Sequence, residues 1–168
     1  MNAVKSEKNL IEGAIMTSLR DFYRNKRVFI TGHTGFKGSW LCEVLLNLGA
    51  VVGGCALHPE KPENLFTILK LQDRITHFTG DIRDSESLKS AVKSFSPEIV
   101  IHMAAQPLVL ASYDDPAYTY SVNVMGTVNI LEAVRECESV KSFLNVTTDK
   151  VYMNQEWLWG YREDERLC

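Results

Sequence analysis

From Arg27 to Leu41 the chain runs through an apolar, β-branched segment, then three glycines, then helical periodicity, and this stretch limits the possible folds more than any other. Val28 to Thr31 has the composition of a strand buried on both faces of a sheet. Gly32, Gly35 and Gly38 follow at a spacing of three, after which Leu41, Val44, Leu45 and Leu48 fall at i, i+3, i+4 and i+7 of a helix that stops at Gly49. The order is strand, glycine turn, helix. Gly32 suits a tight turn, Gly35 lets backbone approach a pyrophosphate, and Gly38 lets the helix pack close to the strand. Unpaired N–H groups at the helix start then face an anion. The spacing is not the Gly-x-Gly-x2-Gly of most dinucleotide turns, so an ordinary strand-to-helix loop is the competing reading and the rest of the chain must decide.

Composition narrows the partners. With 168 residues, 45% hydrophobic, the chain is long enough for one domain with a real core. A net charge of −3 without any cluster of lysine or arginine argues against nucleic acid or an acidic membrane as partner and leaves small molecules. Cys42, Cys55, Cys137 and Cys168 are scattered without a Cys-x-x-Cys pair, which indicates neither zinc nor a disulfide framework and fits a reducing cytoplasm. Ile11 to Met16 is too short, and too interrupted by Glu12 and Gly13, for a signal-peptide core, and no stretch reads as a membrane span. Residues 1–18 are expected to be a loosely held extension and 19–168 a single nucleotide-binding domain.

Taken in order, Ala50 to Leu57 reads as a second strand, in which Gly53 and Gly54 leave room for something to lie close. Asn64 is placed to cap a short helix carrying Leu65, Ile68 and Leu69, and Arg74 to Thr79 reads as a third strand. Asp84 caps a helix whose Leu88, Ala91, Val92 and Phe95 form one apolar face, ended by Pro97. Glu98 to Met103 is the fourth strand. A loop through Pro107 and Pro116 leads into a long helix, about 117–137, with Val124, Val128, Leu131 and Val134 as its expected buried stripe, and Ser142 to Val146 is the fifth strand. Right-handed connections then predict an α/β, Rossmann-like, doubly wound parallel sheet in the order 3-2-1-4-5.

In such a sheet ligands bind beyond the carboxyl ends of the strands, at the point where the strand order reverses. The glycine turn, Asp81 and Ile82, Met103 to Gln106, and Thr147 to Lys150 all emerge on that rim. Ala104 and Ala105 leave space for a flat ring, and Asp81 can accept a hydrogen bond from an exocyclic amine such as that of adenine; its competing role is in a cap or a solvated loop. A carboxylate about 20 residues beyond the glycines, usual for holding a ribose 2′-hydroxyl, is replaced by Cys55 to His58, and no arginine stands there for a 2′-phosphate, so NAD and NADP both remain open.

With these segments in place, the chain resembles the extended short-chain dehydrogenase/reductase family, in its CDP-glucose 4,6-dehydratase branch. The likeness is carried by 22–41, Gly80 to Asp84, Pro97 to Leu108, Asn123 to Thr127, Val146 to Tyr152, and Glu156 to Glu163. The text from His33 to Trp40 and the run Trp157 to Arg162 point to that branch, whereas the glycine turn alone fits any nucleotide-sugar epimerase or dehydratase. The resemblance implies bound NAD as internal hydride carrier: C4 of the sugar is oxidised, water leaves across C5 and C6, and the hydride returns to C6. It assigns cofactor contacts to Gly32, Thr34, Gly35, Phe36, Gly38, Asp81, Ile82, Met103, Ala104, Ala105, Gln106 and Thr147. Thr148 is then expected to bond the C4 hydroxyl, Asp149 to act as acid, and Lys150 to stand where the C5 base belongs, which requires its pKa to fall through desolvation or a nearby cation.

The resemblance also implies a Tyr-x3-Lys pair some twenty residues past Arg162, and no tyrosine of this chain is followed four residues later by lysine. The expectation is therefore the amino-terminal part of an enzyme acting on a nucleotide sugar, without the sixth strand and carboxyl-terminal lobe, and inactive as this stretch alone. The alternatives are a non-catalytic NAD(P)-binding module or another nucleotide-sugar epimerase or dehydratase. The outer edge of 142–146, lacking a sixth strand, is expected to favour association.

Overall fold

Parallel pairing of five short apolar segments organises the molecule, seen here in a computed structural model that describes residues 15–59, 61–148 and 150–167. The strands are β1 (Arg27–Thr31), β2 (Val51–Ala56), β3 (Thr76–Thr79), β4 (Ile99–His102) and β5 (Ser142–Asn145), in the order β3-β2-β1-β4-β5. β1 lies at the centre, with Val28 beside Val52 on one side and Ile99 on the other. All four pairings are parallel, so every strand delivers its carboxyl end to the same rim. The predicted strand order and fold class are those observed.

Residues 15–23 form helix α1; of the extension expected at 1–18, residues 1–14 lie outside the described residues. The remaining helices are α2 (Phe36–Asn47), α3 (Leu65–Ile68), α4 (Ser85–Phe95), α5 (Val109–Asp114), α6 (Pro116–Tyr120) and α7 (Gly126–Arg135). Alternation along β1 sends Phe29 to one face and Val28 and Ile30 to the other. Phe29 joins Leu88, Val92 and Phe95 of α4 and Ile130 of α7 in one core. Val28 and Ile30 join Cys42 and Leu45 of α2 and Phe66 of α3 in the second. Helices therefore cover both sides of the sheet.

Local signals hold where a side chain caps its own helix. Asn64 and Thr67 form a reciprocal capping box on α3, and the Asp84 carboxylate accepts from the Ser87 N–H at the start of α4. The predicted face of α4, Leu88, Ala91, Val92 and Phe95, is the buried one.

One helix face differs from expectation, and a second does so at one residue. Of the four residues expected inside along α2, Leu45 and Leu48 are buried and Leu41 packs against the core, while Val44 is exposed and Gly38, Ser39 and Cys42 complete the buried face. The expected long helix is present as α6, a π-helical turn at Ser121–Met125, and α7. Its expected stripe is corrected: Val124, Val128 and Leu131 face outward, only Val134 packs on the core, and Val122, Gly126, Ile130 and Ala133 are the buried set. In both helices the packing face is set by close approach at a glycine. A Cβ on Gly38 would lie 2.3 Å from the Gly32 carbonyl oxygen, and one on Gly126 would lie 2.3 Å from Ile82 Cδ1. Reading by side-chain size therefore selects the wrong stripe in α7 and misplaces only Val44 in α2. The π turn adds a residue per turn and shifts the phase of α7 relative to α6.

Further differences are smaller. Part of the loop expected between Pro107 and Pro116 is the one-and-a-half-turn helix α5. In α3 it is Phe66 that is buried, and Ile68 points out. The room left by Gly53 is filled by the Phe95 ring, and that left by Gly54 by the Ile30 carbonyl and the His33 ring. Among the described residues no helix is long and apolar enough to cross a membrane.

Candidate functional site

At the rim between β1 and β4 the chain reverses around Gly32, at φ +76°, which glycine adopts without strain. The Gly32 N–H donates to the Cys55 carbonyl, and the Gly35 N–H returns to the Gly32 carbonyl at 3.2 Å. A Cβ on Gly32 would meet Ala104 Cα and N at 2.9 Å, so the glycine turn and the loop after β4 touch through backbone. Helix α2 starts immediately beyond, with Gly35 as its N-cap and no side chain capping it. Gly35, Phe36 and Lys37 are exposed there, which leaves the first-turn N–H groups open to an anion. Thr34 turns the other way, donating its hydroxyl to the Leu57 carbonyl at the end of β2.

The loop after β4 hangs on a buried polar chain that sequence reasoning missed. Thr31 Oγ1 accepts from the Met103 and Ala104 N–H groups at 3.1 and 3.2 Å. Its single proton therefore goes to His102 Nδ1, 2.6 Å away. At the other end, Thr127 donates its hydroxyl to the Asn123 carbonyl, so its oxygen accepts from His102 Nε2–H at 3.1 Å. The chain of roles is self-consistent only for neutral His102 carrying its proton on Nε2. Burial pushes the pKa of this imidazole down to about 4, in agreement with that state. Asn123 completes the support: its Oδ1 accepts from the Gln106 N–H and its Nδ2 donates to the Gln106 carbonyl. The Gln106 side chain bonds Thr119 and the Leu108 backbone. The available signal was a polar residue ending each of two apolar strands, plus Asn123 and Thr127 one helical turn apart.

His33, inside the glycine turn, is also fully buried, against Phe66 and with Nε2 2.7 Å from His77 Nδ1. Burial first, and His77 second, lower its pKa to about 4. Both histidines are thus neutral in the folded chain and protonate near 6.5 when unfolded. The unfolded chain then binds more protons between pH 6.5 and 4, so this stability is complete above pH 6.5 and is lost as pH falls toward 4. His102 alone is expected to remove about 2 kcal/mol between pH 7 and pH 5, with His33 acting in the same direction. Urea unfolding across that range measures it, and a flat profile above pH 5 contradicts it, since carboxylates titrate mainly lower.

After β3, Asp81 is oriented by its neighbour. Its Oδ1 accepts from the Arg83 N–H at 2.9 Å and its Oδ2 from Arg83 Nε and a terminal guanidinium nitrogen at 2.9 and 2.6 Å. The guanidinium bonds hold the Asp81 carboxyl below its ordinary pKa. Ile82 is buried in the notch at Gly126. After β5, Thr147 turns the chain at φ +52°, and Thr148 Oγ1 accepts from the Lys150 N–H at 3.2 Å. Thr147, Thr148 and Lys150 are exposed, so the described residues do not provide the desolvation that a base role for Lys150 requires. Asp149 lies outside the described residues. Beyond them the chain folds back, Tyr152 opposite Leu167, around the rings of Tyr152, Trp157, Trp159 and Tyr161.

The structure thus joins Gly32, Gly35, Gly38, Met103 and Ala104 by direct contact, and topology puts Asp81, Ile82, Ala105, Gln106 and Thr147 on the same rim. The pattern of the GDP-mannose 4,6 dehydratase family matches residues 29–164. The chain belongs to the GDP-mannose 4,6 dehydratase family. Within this family's wider kin, the chain is 53% identical over 148 residues to CDP-glucose 4,6-dehydratase of Salmonella typhimurium, covering 88% of this chain and 41% of that protein. An epimerase from Methanothermobacter thermautotrophicus superposes with a TM-score of 0.74 at 28% identity, over 90% of this chain and 43% of that one. A UDP-glucose 4-epimerase from Thermus thermophilus in complex with NAD gives 0.70 at 30%, over 84% and 44%. The chain therefore spans less than half the length of these relatives and corresponds to the amino-terminal part of the dehydratase family.

Proposed function

We propose that this chain holds NAD at the rim between β1 and β4 as the amino-terminal part of a CDP-glucose 4,6-dehydratase. The observation that carries the reading is the backbone contact of Gly32 with Ala104 beside the exposed start of α2. It brings two backbone turns together beside the uncapped N–H groups of α2, where the strand order reverses. In this reading Gly32, Gly35 and Phe36 surround the phosphates, Thr34 ties the turn to the end of β2, Gly38 lets α2 start close behind it, and Asp81 and Ile82 stand at the adenine. Met103, Ala104, Ala105, Gln106 and Thr147 line the rest of the dinucleotide. The chemistry NAD supplies when bound is reversible hydride transfer. Thr148 orients the sugar C4 hydroxyl, Asp149 protonates the departing C6 hydroxyl, and Lys150 accepts the C5 proton once substrate and the rest of the protein desolvate it. The choice of CDP-glucose rests on the 53% identical Salmonella relative, and the choice of NAD on the Thermus epimerase at 30% identity.

Isothermal titration with NAD and with NADP is expected to show NAD binding that Gly35→Glu removes, because a carboxylate there would face the pyrophosphate. Absence of NAD binding by the parent chain, or unchanged binding by the variant, overturns the assignment. The 168-residue chain alone is expected to release no 4-keto-6-deoxy sugar from CDP-glucose, since it contains no Tyr-x3-Lys pair.

A further inference from the structure

We infer that Arg83 is a positioning residue for the adenine end of the site: it aims the Asp81 carboxylate so that one oxygen accepts the exocyclic amine of the base. This rests on the NAD reading above and adds to it a residue with no place among the expected contacts. A carboxylate has about four acceptor positions. Arg83 fills three of those on Asp81, two on Oδ2 through the guanidinium and one on Oδ1 through its backbone N–H, so the fourth lies on Oδ1. An amine donor fits that position and a carbonyl does not.

Arg83 and the Ile82 before it are held by contacts with one helical stretch. Its guanidinium carbon lies 4.8 Å from the centroid of the Tyr118 ring, on α6. Its carbonyl, and that of Ile82, accept from Asn129 Nδ2 of α7 at 3.1 and 2.9 Å. Ile82 occupies the notch at Gly126, where a Cβ would come within 2.3 Å. An ion pair this exposed, 42% and 27% at the two side chains, contributes little to stability. What the fork, the ring and the fixed backbone supply is direction, which a point charge on a lysine stem does not.

The test is titration of the full chain with NAD and with nicotinamide hypoxanthine dinucleotide, in which a carbonyl replaces the adenine amine. The parent chain is expected to prefer NAD by roughly tenfold, the scale of one hydrogen bond to a charged group. Asp81→Ala is expected to bring that ratio close to one. Arg83→Gln is expected to reduce it to about threefold, with Arg83→Lys between Gln and the parent. Tyr118→Leu, which leaves both charged partners in place, is expected to lower the ratio in the same direction and serves if the Arg83 variants do not fold. A purely structural Arg83 would weaken both dinucleotides equally, and an unchanged ratio in Arg83→Gln, or in Tyr118→Leu where that stands in, overturns the inference. Equal affinity of the parent chain for the two dinucleotides overturns it while leaving the NAD reading intact. Failure of the parent chain to bind NAD overturns both.

Discussion

Gly38→Val is expected to leave the chain without a cooperative unfolding transition. The first side-chain atom would sit 2.3 Å from the Gly32 carbonyl oxygen and 2.7 Å from His33 Cα, both of them backbone atoms that cannot rotate away. Relief requires α2 to move off β1, which opens the core around Val28, Ile30, Cys42 and Leu45. Replacing a helical glycine normally gains several tenths of a kcal/mol, up to about 1. Overpacking typically costs about 1–3 kcal/mol, more where the contacted atoms cannot yield, and each large apolar side chain that the displaced α2 uncovers adds about 1.5–3 kcal/mol. Against a total stability of about 5–15 kcal/mol, with the covering helix displaced, that loss decides the outcome. Gly160→Ala is the control, since nothing lies within 4 Å of its added Cβ, and it is expected to stay within about 0.5 kcal/mol of the parent. Circular dichroism during urea titration measures both; a sigmoidal transition for Gly38→Val near the parent midpoint refutes the packing argument.

Thr31→Val keeps the shape of a fully buried side chain and removes its oxygen. Ala104 N–H and His102 Nδ1 then lose their partner, while Met103 N–H retains a 3.3 Å bond to the Thr31 carbonyl. An unpaired buried group costs about 1–3 kcal/mol and the half-buried Ala104 N–H less, so the expected loss is roughly 2–4 kcal/mol. Thr31→Ser retains the hydroxyl and is expected to lose only about 1 kcal/mol for its methyl group. A valine variant as stable as the serine variant would mean that the polar chain from Ala104 to Asn123 does not hold the loop after β4. The same pair tests the site, because Met103 and Ala104 are positioned by that oxygen: NAD affinity should fall with stability in Thr31→Val and be kept in Thr31→Ser.

These two positions show how differently the parts of the site could be read beforehand. Gly38 is assigned to close helix packing by its spacing alone, and the structure places it against the Gly32 carbonyl. Thr31 passes as the last residue of a strand, because a threonine there satisfies strand propensity whatever its hydroxyl does. Asp81 is legible as a carboxylate on the rim, whereas Arg83, two residues on, carries no signal until its guanidinium is seen between Asp81 and Tyr118. Asn64 and Asp84 are readable as caps because a cap bonds backbone three residues away.

Strand order, the glycine turn, the caps and the rim on which the signature segments surface could all be read along the chain. Each is set by neighbours within a few residues, by hydrophobic period, and by the handedness of connections. Folding alone settled which stripe of α7 is buried, what fills the space at Gly53 and Gly54, and which tautomer His102 adopts. Those outcomes depend on pairs such as Ile82 with Gly126, where a side chain fits only because a glycine leaves the space, and Thr31 with His102, a side-chain bond between residues 71 apart in the chain.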